Sequence, residues 1–116
     1  MQRPSYLIVL ALLVVSSTAL AHTKLTESAP PADATLAASP DAIELQFSQP
    51  VRLTALSLLR DETPMVLGAI PKQPATTFSV AIPNPLIRGV YSVEWRVVSE
   101  DTHVVSGDFA FTVNGQ

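Results

Sequence analysis

The chain has two histidines, His22 and His103, and the second belongs to the triplet Asp101-Thr102-His103. In extended backbone, residues two apart project to the same side. The spacing therefore offers a carboxylate and an imidazole together, donors for a divalent metal or for a plain hydrogen-bonded pair. Taken alone, Asp-x-His is a weak signal and more often the mark of a surface loop in which an Asp caps a turn.

His22 gains its interest from what precedes it. Arg3 gives a short positive start, Leu7 to Val15 is an unbroken apolar run, and Ala19-Leu20-Ala21 has the small-x-small form that signal peptidase cuts after. Residues 1–21 read as a cleaved secretory signal peptide, because the run is shorter than the roughly 20 apolar residues a membrane span needs. Cleavage would make His22 the first residue of a mature domain over residues 22–116, exported to the periplasm. An N-terminal His offers its α-amine and its Nδ1 from one residue, a chelate that no internal His can make. An amine titrates near pH ~8 and an imidazole near ~6.5, so a metal can displace both protons at neutral pH. With Asp101 and His103 the set becomes three nitrogens and one oxygen, which suits one tetragonal Cu(II) ion. There is no Cys, and Met65 is the only Met after the signal, so no soft-ligand Cu(I) site is expected.

The rest of the chain must position those donors. Its 116 residues carry seven Lys plus Arg against ten Asp plus Glu. Removing 21 residues, Arg3 among them, leaves 95 residues with a formal charge of −4. That is one domain, and its scattered basic residues give no footprint for nucleic acid. With no Cys there is no disulfide, so a core alone must hold the domain. Ten prolines leave no stretch long enough for a stable helix, and the chain reads as all-β.

The clearest strand is Val90 to Val98, with Tyr91, Val93, Trp95 and Val97 on one face and Ser92, Glu94 and Arg96 on the other. Asp108 to Val113 is its expected partner, across a loop around Ser99 to His103. Ile43 to Phe47 and Thr76 to Ile82 also alternate, and Val51 to Leu59, Met65 to Ile70 and Lys24 to Ser28 complete a count of about seven strands. Turns are expected at Asp61-Glu62-Thr63-Pro64 and at Asn84-Pro85, and the Pro30 to Ala38 segment as a surface connection. This size and turn spacing predict a seven-stranded, Greek-key, immunoglobulin-like β-sandwich, barrel-like in outline. Trp95, Phe47, Phe78, Phe109 and Phe111 are expected in its core rather than on a ligand platform.

At this point the residues resemble a known family, the periplasmic copper-binding proteins of the CopC type, YobA-like members included. The similarity covers residues 22–116. It begins with the His22-Thr-Lys-Leu-Thr-Glu-Ser-Ala-Pro-Pro-Ala-Asp33 start and continues through Ile43-Glu-Leu-Gln-Phe-Ser-Gln-Pro-Val51. It closes with Gly89-Val-Tyr-Ser-Val-Glu-Trp-Arg-Val-Val-Ser-Glu-Asp-Thr-His103 and Ser106-Gly107. The resemblance implies a Greek-key β-sandwich that binds Cu(II) near one end through His22, Asp101 and His103. It also implies a copper-transporting inner-membrane partner of the CopD type. Two departures stand out. The Met-rich loop of some relatives is missing, and the family's Glu after Phe-Ser is Gln49, so a carboxylate able to orient the N-terminal His is replaced by a neutral amide.

The leading reading is a monomeric Cu(II) carrier for copper homeostasis and resistance, with no small-molecule substrate and no catalysis. One alternative is a copper oxygenase of the histidine-brace kind, disfavoured because Asp101 fills a position that such chemistry keeps open. Another is a metal-free β-sandwich interaction domain. Ser/His/Asp hydrolysis has no support, since no Ser stands in a nucleophile-elbow setting.

Overall fold

A computed structural model describes residues 23–115; the expected signal peptide, His22 and Gln116 lie outside the described residues. Seven strands are found among them: β1 Leu25–Ala29, β2 Thr35–Leu36, β3 Ala42–Arg60, β4 Thr63–Pro64, β5 Ala75–Ala81, β6 Gly89–Ser99 and β7 Val104–Val113. All join one curled sheet in the order β1-β3-β6-β7-β2, with β4 and β5 also paired to β3.

The curl comes from β3, which is 19 residues long. Its first part, from Ala42 to Gln46, pairs with β5 and, on its other edge, with β1. From Val51 onward it pairs with β6. Ser48, Gln49 and Pro50 form the exposed corner between the two parts. One strand that changes partners at an irregular corner folds two sheet faces over a single core. Sequence reading saw two strands, Ile43 to Phe47 and Val51 to Leu59; a Pro between them hides the continuity, and it is tolerated because the ladder to β5 skips this stretch.

The weak alternation of Val51 to Leu59 has a physical cause. Leu53 pairs with Val97 and Ala55 with Arg96, which leaves Thr54 as an extra residue. A one-residue bulge flips the buried face from Val51 and Leu53 to Leu58. The Thr54 hydroxyl donates to the Arg96 carbonyl at 3.1 Å and fills the gap in the ladder.

The core is built from both halves: Ile43, Leu45, Phe47, Phe78 and Val80 meet Leu58, Tyr91, Val93, Trp95, Val97, Phe111 and Val113. Phe47 links them, edge-on to Phe78 at 6.1 Å and to Trp95 at 5.2 Å. Tyr91 stacks on its cross-strand partner Phe111 at 5.6 Å. Phe109, expected as core, is only partly buried against it.

Three local expectations need correction. Met65 to Ile70 is not a strand. It packs Met65, Leu67 and Ile70 against the core and is tied to the sheet by Met65 N–H to Leu58 O and Gly68 N–H to Ala81 O, so apolar burial mimicked a strand pattern. The 61–64 turn is tighter than expected: Asp61 and Glu62 take positive φ, as a two-residue hairpin requires, while Thr63 and Pro64 already pair with Arg60 and Leu59. Finally, the Pro30 to Ala38 connection contains β2, which runs parallel to the end of β7. Two residues are too few to leave a periodic signal.

Candidate metal centre

Asp101 lies in the hairpin loop between β6 and β7, and His103 closes it. Ser99 N–H donates to His103 O at 2.9 Å, and Thr102 N–H to Ser99 O at 2.9 Å. The loop is therefore three residues, Glu100 to Thr102, closed by a β-turn. Thr102 follows in the left-handed region at φ 69°, the geometry that lets such a loop rejoin its ladder. This differs from the expectation that extended backbone aligns the two side chains. They do meet, but the turn and the left-handed residue bring them together. A β-branched residue is a poor signal for that conformation, which usually calls for Gly or Asn.

The contact is direct. Asp101 Oδ2 stands 3.0 Å from His103 Nδ1, with the His103 and Asp101 side chains 79% and 71% exposed. Asp101 Oδ1 accepts the Ser99 hydroxyl and lies 3.4 Å from the His103 backbone N–H. The Asp101 carboxyl is held at about 2, below its ordinary 3.8, first by the Ser99 hydrogen bond and then by that from His103. A carboxylate that stays ionised beside an imidazole is a ready pair of hard and borderline donors. Both are exposed, so the ring can turn to present either nitrogen without disturbing the core.

Ser99 is the residue that sequence reading gave no role. Its signal is the Ser-x-Asp pattern of a turn, in which short polar side chains bond one another across the bend.

The same end of the sheet receives the start of the described chain. Lys24 N–H donates to Ser48 Oγ at 3.1 Å, and Ser48 N–H to Lys24 O at 2.9 Å. Ser48 is three residues, about 10 Å of strand, from Val51, and Val51 pairs with Ser99. Thr23 is buried, and Gln49 lies exposed in the corner between. No group of three or more His, Cys, Asp or Glu assembles among the described residues. Met65 packs on the core beside Tyr91, eight residues of β6 away from this loop.

Comparison with known proteins identifies the family. The CopC domain matches residues 25–114. The chain belongs to the CopC family. It is 37% identical over 110 residues to copper resistance protein C of Escherichia coli, covering 85% of this chain and 86% of that one. The solved structure of CopC from Methylosinus trichosporium OB3b superposes with a TM-score of 0.70 at 30% identity, covering 82% of this chain and 96% of that one. That of PcoC, a methionine-rich copper resistance protein from Escherichia coli, gives 0.68 at 34% identity over 81% and 100%. CopC membership makes this an all-β copper-binding protein of the resistance and transport class, a carrier and not an enzyme.

Proposed function

We propose that this protein is a periplasmic Cu(II) carrier. It holds one ion through the α-amine and imidazole of His22, the Asp101 carboxylate and the His103 imidazole, and exchanges it with a CopD-type inner-membrane transporter. The observation that carries this reading is the exposed 3.0 Å contact of Asp101 with His103, in the loop that follows Ser99, whose partner Val51 is three residues from the Ser48 that holds Lys24. The contact keeps a carboxylate oxygen and an imidazole nitrogen side by side, so a metal that displaces the proton between them gains both donors at once.

Residues 1–21 act as the signal peptide, and their removal frees the His22 amine one peptide bond before Thr23. Gln49 occupies the sequence position of the family's Glu, and a neutral amide can hydrogen-bond to the N-terminal residue without adding charge. Nothing in the mature chain supplies a second, thioether-rich site, since Met65 stands alone and serves the core.

The test uses the exported and processed protein, its mass beginning at His22, titrated with Cu(II) under electron paramagnetic resonance. A one-to-one tetragonal signal with nitrogen hyperfine structure supports the reading. An added residue before His22 abolishes the chelate and changes the spectrum. A processed protein that does not bind copper, or a spectrum indifferent to the added residue, overturns it.

A further inference from the structure

Asp101 and His103 are too exposed for packing to hold them. With 71% and 79% of their side chains open to solvent, only hydrogen bonds fix their directions. A donor set loses affinity when its members must be ordered on binding, so whatever orders them beforehand contributes to binding.

The bonds that order this pair converge on Ser99. Its backbone N–H bonds His103 O and its C=O accepts from Thr102 N–H, closing the hairpin at both ends. Its hydroxyl donates to Asp101 Oδ1 and lies 3.3 Å from His103 O. With Oδ1 engaged, Oδ2 is the oxygen that faces His103 Nδ1. Ser99 is itself the last residue of β6, paired with Val51. The hydroxyl thus reaches the loop from the rigid sheet.

We infer that Ser99 is the positioning residue of the metal centre: it clamps the Asp101 carboxylate from the sheet, so that Asp101 and His103 meet an incoming copper ion already aligned. The inference rests on the copper reading above. Ser99 touches no metal in this arrangement; it acts through Asp101. Ser99→Ala keeps every backbone bond of the hairpin and removes only the clamp, whereas Ser99→Thr keeps the hydroxyl on a residue suited to a strand.

The experiment compares wild type, Ser99→Ala, Ser99→Thr and Asp101→Ala as processed proteins, by competitive Cu(II) titration. Loss of a group that orients a ligand typically weakens metal binding about 10- to 100-fold, and that loss is expected for Ser99→Ala, with Ser99→Thr restoring affinity to within about threefold of wild type. Equal copper affinity of Ser99→Ala and wild type, while Asp101→Ala binds weakly, overturns the inference and leaves the copper reading standing. So does equal weakening of both Ser99 variants. A wild-type protein that binds no copper overturns both.

Discussion

The indole ring of Trp95 lies directly on Gly107, its cross-strand partner, so closely that a Cβ at position 107 would stand 2.5 Å from Cζ2 and 2.9 Å from Cε2. The ring has nowhere to retreat, since Trp95 is only 8% exposed and meets Phe47 edge-on. Absence of a side chain is what lets the aromatic link between the two halves of the sheet close. Gly107→Ala should therefore destabilise the domain by about 1–3 kcal/mol, as overpacking of a filled core does. Urea unfolding followed by the fluorescence of this single Trp checks it; an unchanged midpoint would mean that the ring shifts freely.

Thr102 presents the opposite case, a side chain where the backbone would prefer none. Its φ of 69° places a β-branched residue in the left-handed region, at a cost of roughly 1–2 kcal/mol. Asn tolerates that conformation and adds less unfolded-state freedom than Gly. Thr102→Asn is expected to stabilise the copper-free domain by about 0.5–1 kcal/mol and to leave the Asp101–His103 contact in place. Thr102 Oγ1 also donates to Asp101 O. A lower melting temperature in Thr102→Asn would show that this bond outweighs the backbone strain.

How much of this was legible in the residues follows from how regular each element is. The strand at Tyr91 to Val97 was plain because strict alternation puts Tyr91, Val93, Trp95 and Val97 into the core without a break. In β3 the same rule was obscured by the corner at Pro50 and the bulge at Thr54, which change the buried parity within one strand. The parallel pairing of Thr35 and Leu36 with β7 leaves no trace at all, because a two-residue strand has no period. Residue types and spacing put Asp101 and His103 side by side, and the structure brings the two into contact. Types and spacing did not reveal how the two meet, since that depends on a backbone conformation that Thr rarely adopts. Ser99 was invisible as a contributor for a related reason: its role is a hydrogen bond across a turn, not a ligand type.

The Asp101 carboxyl also leaves a mark on stability. It is held at about 2 when folded, against an ordinary 3.8. As pH falls below about 4 the unfolded chain takes up this proton first, so the contribution is present above that pH and is lost between 3.8 and about 2. Unfolding of the copper-free protein should therefore show wild type ahead of Asp101→Asn near pH 5, with the gap closing as pH approaches 2. A gap of constant size across that range would mean that the Ser99 and His103 bonds do not depend on the charge of Asp101.

Copper affinity should follow the nitrogens and ignore the carboxylate over the range where the protein works. Amines and imidazoles ordinarily take up protons at about pH 8 and about 6.5, so binding through the His22 amine and two imidazoles should weaken steeply below about pH 6. The Asp101 carboxyl is still ionised there, because its proton returns only near 2. Two variants separate these terms. Asp101→Ala should bind Cu(II) more weakly than wild type by a factor that is the same from pH 5 to pH 8, since the lost ligand does not titrate in that window. His103→Ala should bind more weakly with a shallower pH dependence, since one competing proton has gone. Both are exposed-loop changes and should leave the domain folded at neutral pH. Competitive titration at four pH values reads both slopes. A deficit in Asp101→Ala that grows as pH falls would place the Asp101 proton well above about 2, and wild-type binding that is flat down to pH 4 would remove the amine and imidazoles from the ligand set.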